Sequence, residues 1–463
     1  MLDFTKGNAW KLLLQFSAPM FIGNILMQFY HVADTYIVGN FLGTKALAAV
    51  GASGPVIFAL VSFIIGIAIG CTIIISQYFG NKNIEKVRRA IDTVIVFVIV
   101  AAMLIMLVGM LMCDPLLRLV KTPDDVMEGA RVFYQIIVIG ILPLFGINVL
   151  SAILRGLGDS KTPLYYMIAS SLLNLLLLVL FVPFLHWGIA GAAWATIFAQ
   201  LLTVVVMIVQ LRKHEIIRIA FRPKNFDFDI FRQSVRIGLP NGIQQALVAI
   251  GMMALLSIVN DFKDSNLLAA YSIAGRIDSL ASAPAMTFSV AIAAFVGQNV
   301  GARKLQRVSE GLSAALFISS GLSVAISLVM ILFRYEIMRW FATDAAPEVI
   351  ELGSRYLLII GMFYTVFSVM FVFNGVMRGA GDTLVPMFIT LLSLWLVRVP
   401  FASVMSGHIG PDGVWWSIPA GWCVGMICAV VYYRIGRWKN KGVIRPEELN
   451  MEDIDMRPDK IGI

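Results

Sequence analysis

Arg155-Gly-Leu-Gly-Asp-Ser-Lys-Thr-Pro163 recurs as Arg378-Gly-Ala-Gly-Asp-Thr-Leu-Val-Pro386, 223 residues further along the chain. Around this pair the two halves of the sequence line up. At a shift of 221, Pro19 falls on Pro240, Phe41 on Phe262, Gly54 on Gly275, Gln77 on Gln298 and Gly80 on Gly301. A third landmark, Gly188-x-x-Gly191-x-x-Trp194, returns as Gly410-x-x-Gly413-x-x-Trp416. Apolar helices resemble one another by chance, but polar landmarks in one order at nearly one shift do not. The chain is an internal duplication.

Composition says what is duplicated. Of 463 residues, 59% are apolar and 14% charged, against about 45–50% and about 25% in an average soluble chain. So little charge cannot cover so much apolar surface in water. That excludes an ordinary soluble enzyme, a nucleic-acid binder and a disordered chain. A membrane-spanning helix needs about 20 mostly apolar residues. Stretches long enough recur at 12–38, 47–79, 90–112, 131–154, 164–185, 189–211, 234–260, 267–299, 309–333, 352–377, 384–404 and 414–435. Met1 to Trp10 runs into the first of them without a cleavage site, so it reads as the start of a span.

Twelve spans put both termini on one side. With the N-terminus taken as cytoplasmic, the inner segments hold twenty-four Lys and Arg and the outer segments eight. This bias predicts a multi-pass plasma-membrane protein with both ends cytoplasmic. It also accounts for the net charge of +8: the basic residues are topology signals and contacts for anionic membrane lipids, not a nucleic-acid footprint.

Six helices per repeat is an even number, so the two units share one orientation. The expected fold is an all-α integral membrane protein, with 12 transmembrane helices in two six-helix lobes related by a pseudo-two-fold along the membrane normal. The expected units are an N-terminal lobe over 1–214, a linker over 215–230, a C-terminal lobe over 231–440 and a polar cytoplasmic tail over 441–463. Gly156, Gly158, Gly379 and Gly381 suit tight helix exits with positive φ, and Arg155 with Asp159, or Arg378 with Asp382, is placed to pair locally. No strand precedes this GxGD segment and no P-loop Lys-Ser/Thr follows it, so it is not a nucleotide loop.

Ionisable side chains inside a span are costly and are functional candidates by default. Asp34 is the foremost. It lies about 30 Å along the first span at about 1.5 Å per residue, in its outer part, where it is either a coupling carboxyl or an ordinary helix-end residue. In the second half, Arg398 sits mid-way along span eleven, near the repeat counterpart of Asn174. It reads either as a structural charge bonded to backbone carbonyls or as a substrate or gating residue. Arg276 and Asp278, two residues apart, fall on different helix faces. Gln244, Gln245 and Asn374 are further polar candidates in that half.

On these landmarks the chain resembles the multidrug and toxic compound extrusion (MATE) transporters. The resemblance spans residues 8–437. It rests on Pro19, Ala33-Asp34-Thr35, Gln77-x-x-Gly80 and Gln298-x-x-Gly301, both RGxGDxxxP segments and the run from Gly188 to Thr196. It implies a secondary antiporter that exports amphipathic, often cationic, organic compounds while protons or sodium ions enter. It implies no enzyme, no cofactor beyond the coupling ion (H+ or Na+), no nucleic-acid partner and a monomer. Carried over residue by residue, it adds Tyr30, Asn148, Asn174 and Thr196 to Asp34 as the cation-coupling group, with Asp34 and Asn174 as candidate Na+ ligands. Helix-to-helix polar glue is the alternative for each.

Two departures bear on the ion. One branch of the family has an acid four residues after the Asn of span five, where this chain has Leu178. Another has acids in spans seven and ten, where this chain has Gln244 and Gln245 and none at all. A multidentate sodium cage is harder to build without them, which favours a proton. The rival reading within the wider superfamily is a flippase for lipids or lipid-linked saccharides. A membrane enzyme is disfavoured: His31, His186, His214 and His408 are scattered, the four cysteines show no metal spacing, and no nucleophile stands beside a base.

Overall fold

The computed structural model describes residues 1–120, 122–212, 217, 225–341 and 346–444. The expected linker at 215–230 lies outside them except for 217 and 225–230. The expected tail lies outside them beyond residue 444.

The first helix, α1, runs Ala9–Gly80 over 72 residues. At about 1.5 Å per residue that is about 110 Å, far more than the roughly 30 Å of a bilayer core. It is therefore two spans. Gly43, at φ 80°, sits in the left-handed region that glycine enters without a Cβ penalty. There the chain doubles back, so that Val38 and Leu47 share one apolar cluster.

The N-terminal lobe continues with α2 (Ile84–Leu111), the short α3 (Cys113–Leu119), α4 (Asp124–Ile139), α5 (Ile141–Gly156), α6 (Lys161–Val179) and α7 (Gly188–Arg212). The C-terminal lobe holds α8 (Phe228–Asn260), α9 (Ser265–Gly301), α10 (Leu305–Leu332), α11 (Arg334–Phe341), α12 (Pro347–Gly361), α13 (Tyr364–Gly379), α14 (Leu384–Leu391), α15 (Val399–Ile409) and α16 (Pro411–Ile435). Among the described residues nine helices are long and apolar enough to span, and eleven with each bent pair counted once. Dividing α1 at Gly43 brings the total to twelve. Helix α8 starts inside the stretch expected as linker.

The duplication shows in the irregularities. Helices α4 and α5 meet at 50°, and their counterparts α12 and α13 at 51°. A π-helical turn ends span five at Leu180–Phe184, around Pro183, and another interrupts span eleven at Leu392–Arg398, just before Pro400. Proline within or beside each turn explains the loosened winding, because it removes a donor and crowds the preceding carbonyls.

Lipid tails are as apolar as leucine, so close packing and interhelical hydrogen bonds must join the lobes. The second arm of α1 crosses α8 backbone to backbone: a methyl group on Gly66 would strike the main chain of Gly238 and Gly242. Midway along the first arm of α1, Asn24 Nδ2 donates to Thr287 Oγ1 of α9 at 2.9 Å.

The tightest junction lies at the end of the bundle where the segments around Phe4 and Val443 meet the helices, the termini end. Gln77 Nε2 donates to the Gly379 carbonyl at 3.0 Å, and its Oε1 accepts the Val443 amide at 2.6 Å. Gln298 Nε2 donates to the Gly156 carbonyl at 3.3 Å, and its Oε1 accepts the Phe4 amide at 2.9 Å. Gly80 packs on the Gln298 carbonyl and Gly301 on the Gln77 carbonyl. Asn299 and Arg307 hold the Phe4 carbonyl, and the Leu2 amide donates to Gly158. Among the described residues, the hydrogen bonds joining the lobes lie between this end and the level of Asn24. The bundle is closed at the termini end.

Two local expectations are corrected. Of the loop glycines, Gly158 and Gly381 take positive φ, while Gly156 and Gly379 stay helical and press on neighbouring helices. Arg155 does not pair with Asp159. That carboxylate instead caps the start of α6, accepting from the Lys161 and Thr162 amides and from Thr162 Oγ1. Asp382 likewise leaves Arg378 and accepts from Tyr432 Oη.

Candidate functional site

A cavity of about 280 Å³ opens inside the N-terminal lobe, near the lower end of ligand-pocket sizes. The first arm of α1, α5, α6 and α7 form its walls. Apolar side chains such as Met20, Met27 and Met167 share the lining with Asn24, Tyr30, Asn148, Arg155, Asn174, Thr196 and Gln200. Four of the five N-lobe candidates therefore converge here from four helices.

Their bonds are sparse. Asn174 Nδ2 donates to Thr196 Oγ1 at 3.0 Å, which ties α6 to α7, and Thr196 Oγ1 reaches the Ala192 carbonyl of its own helix at 3.3 Å. Tyr30 approaches the Thr196 side chain from α1. Asn174 Oδ1 is buried and has no hydrogen-bond partner. Asn148 spends its amide on the Leu144 carbonyl one turn back, at 2.8 Å. An unpartnered amide oxygen with two hydroxyls beside it can take up a proton-bearing group, a water or a small cation.

Asp34 stands one helical turn beyond Tyr30 on the same face of α1. It is half-buried, close enough to act electrostatically on Tyr30, and outside the cavity lining itself. Leu178, at the position where an acid would add a second charge, is fully buried among Val38, Phe181 and Val182. Among the described residues no group of three or more His, Cys, Asp or Glu stands ready to hold a metal ion. A cation at this site would have Asp34 as the carboxylate one turn beyond Tyr30, with Asn174 Oδ1, Thr196 and Tyr30 as neutral oxygens.

The second half places its candidates apart. Gln244 donates to Thr390 Oγ1 of α14 at 2.7 Å and joins two helices of its lobe. Gln245 lies beside it, partly buried, on α8. Asn374 is buried, with Oδ1 unpartnered and its carbonyl accepting from Arg378 Nε at 3.4 Å. Arg398 ends the π-helical turn of span eleven with a buried, unbonded Nε.

Arg398 faces a cluster that spacing alone did not reveal. Tyr364 Oη of α13 donates to Asp278 Oδ1 of α9 at 2.5 Å. Arg398 acts electrostatically on Asp278 and on Tyr271 and Tyr356 beside it. Tyr271 stacks on Trp415 at 5.6 Å between ring centres, and Tyr356 meets the same indole edge-on at 5.0 Å. Asp278 and Arg398 are thus the partly buried charges of one aromatic-walled cluster. The available signal was a carboxylate inside an apolar stretch. Arg155 as a cavity wall was also missed, because a local partner had been expected for it.

The fold and cavity define a duplicated helical membrane protein with a polar chamber in one lobe. Comparison with known proteins identifies the class. The family model described as MatE matches residues 19–180 and 240–404, once in each half. The probable multidrug resistance protein YpnP of Bacillus subtilis (strain 168) is 34% identical over 437 residues, covering 94% of this chain and 97% of its own. The probable multidrug resistance protein NorM of Thermotoga maritima is 26% identical, with 95% of each chain covered. Among solved structures, the outward-facing conformation of a multidrug resistance MATE family transporter of the MOP superfamily superposes with a TM-score of 0.88 at 23% identity. It covers 94% of this chain and 98% of that one, a likeness of fold.

This chain belongs to the MATE family of multidrug efflux transporters. It is a multi-pass membrane transporter and not an enzyme.

Proposed function

We propose that the chain is a cation-coupled secondary antiporter, using H+ or Na+, that exports amphipathic and cationic organic compounds across the plasma membrane by alternating access. The observation that carries this reading is the N-lobe cavity, with Tyr30, Asn148, Asn174 and Thr196 converging in it and Asp34 one turn away. In the proposed cycle drug enters from the cytoplasmic side while the termini end is open. That end then closes through Gln77 and Gln298 into the state described above, and uptake of the ion near Asp34 releases the drug outside. The lobes at 1–214 and 231–440 rock as units, both termini face the cytoplasm, and the protein acts as a monomer in contact with membrane lipids.

The test is drug transport in proteoliposomes with the proton and sodium gradients imposed one at a time, for wild type and Asp34→Asn. The reading expects one gradient to drive drug movement and the variant to lose drug-dependent ion flux while keeping its fold. An Asp34→Asn protein that exchanges ion for drug at the wild-type rate would overturn it.

A further inference from the structure

Arg155 and Arg378 occupy the same position of the repeated motif, yet their surroundings differ. Arg378 is tied down: its guanidinium donates to Ser289 Oγ at 3.0 Å and to the Asn374 carbonyl at 3.4 Å. Arg155 is not. Its Nε is buried without a hydrogen-bond partner, and the side chain lines the N-lobe cavity. Asp159, the nearest acid in sequence, is turned away onto Thr162. Among the described residues no carboxylate acts on Arg155.

A guanidinium is always charged and carries five donors in a planar fork that matches a carboxylate or phosphate. Leaving it unpaired away from bulk water is unfavourable. The same bare charge repels a purely cationic drug from that end of the cavity. Ser151 and Ser160 line the wall beside it and add hydroxyl donors. Asn148 lies seven residues earlier on α5, about 10 Å up the helix axis. The cavity therefore has a cationic floor and a neutral, amide-rich upper level, with Asp34 beyond.

Building on the drug-binding role proposed for this cavity, we propose that Arg155 is an oxyanion subsite: the preferred substrates are amphipathic zwitterions whose carboxylate or phosphate seats on Arg155, with the cationic end directed toward Tyr30 and Asp34. Arg378 of the other lobe is not offered to such a group in the same way, because its Nε and Nη2 already hold Asn374 and Ser289.

The test compares Nα-dansyl-lysine, a fluorescent amphipathic zwitterion whose ε-ammonium and carboxylate stand at opposite ends of the lysine side chain, with its methyl ester, which lacks the carboxylate and is a cation. Binding is measured by fluorescence titration of the full-length protein in phosphatidylcholine nanodiscs. Wild type is expected to bind the acid at least tenfold more tightly than the ester. Arg155→Gln should bring the acid to the affinity of the ester while changing ester affinity less than threefold. Arg155→Lys should fall between the two, and Arg378→Gln should keep the wild-type preference. Equal binding of acid and ester to wild type overturns the subsite and leaves the drug cavity standing; this arm needs no variant to fold. Parallel loss of both ligands in Arg155→Gln also overturns it, as the signature of a structural arginine. Repeating the titration in dodecyl maltoside micelles free of phospholipid distinguishes the other source of an oxyanion: equal binding of acid and ester in nanodiscs with a preference for the acid only in micelles means that Arg155 holds a lipid phosphate, and the drug subsite is overturned. Failure of wild type to bind either compound sinks the drug-cavity reading together with this one.

Discussion

Gln77 and Gln298 make the same pair of hydrogen bonds on opposite lobes. Each donates to the carbonyl of a glycine in the other lobe's repeated loop, and each accepts the amide of a terminal segment. Both side chains are fully buried. Interhelical side-chain hydrogen bonds in membrane proteins contribute about 0.6 kcal/mol on average and at most about 1.7. Replacing both glutamines by alanine should therefore shift the balance toward an open termini end by about 1–3 kcal/mol without unfolding either lobe. Maleimide labelling of Ser76→Cys, a buried position against Gly297, in a background lacking the native cysteines reads that opening. Labelling is expected to rise several-fold in the double alanine variant and only modestly in each single one. Unchanged labelling would show that the glutamines do not hold the closed end.

Gly66 allows a second test of the same junction. Its Cα face lies on the backbone of Gly238 and Gly242, and neither can yield as a flexible side chain would. Gly66→Val should hold the lobes apart and leave the helices intact. The expected result is the same rise in Ser76→Cys labelling, with helical content by circular dichroism unchanged. A Gly66→Val protein that labels and transports like wild type would mean that the lobes do not close through this crossing.

Within the cavity, Thr196→Val removes the acceptor of the Asn174 amide and the neighbour of Tyr30 while nearly conserving volume. The loss to stability should stay near 1 kcal/mol, the scale of one interhelical bond. Drug export should fall by roughly tenfold, because Asn174 is released from its orientation. Thermal melting in detergent and vesicle transport separate the two effects. A large drop in melting temperature with normal export per folded molecule would make the pair structural glue only.

The second lobe offers a cleaner energetic prediction. Tyr364→Phe leaves the Asp278 carboxylate without its hydroxyl donor. Stranding a buried polar group costs about 1–3 kcal/mol, more for a charged one. Asp278→Asn on the same background should recover part of that loss. The double-mutant cycle should return a coupling between Asp278 and Tyr364 of about 0.5–3 kcal/mol. Coupling near zero would mean the two groups stand side by side without interacting.

Much of this architecture was legible in the sequence, because a bilayer enforces long apolar runs and the duplication copies polar landmarks. Positions such as Pro19 with Pro240 and Gln77 with Gln298 aligned the halves without coordinates. The convergence of Tyr30, Asn148, Asn174 and Thr196 followed from family resemblance and not from spacing: they lie on four helices, and linear distance carries no information about lobe packing. Asp278 escaped for the same reason, since its partner Tyr364 is 86 residues away. The local ion pairs expected within the RGxGD loops failed for two reasons: Asp159 finds free amides at the start of α6 closer at hand than a guanidinium, and Asp382 takes the Tyr432 hydroxyl. The division of labour between the glutamines and the loop glycines was invisible, since each contact crosses between repeats.

The stretch before α1 and the stretch after Trp438 are threaded into the junction they border: Phe4 is fully buried, and Val443 is nearly so. Phe4 and Val443 are in this sense hinge pins and not loose cords. A fluorophore attached at residue 2 would report each swing of the bundle directly. A bulky affinity handle fused there would prop the door, so recombinant versions extended at the N-terminus should be judged against an unextended chain before any loss of pumping is blamed on a point substitution.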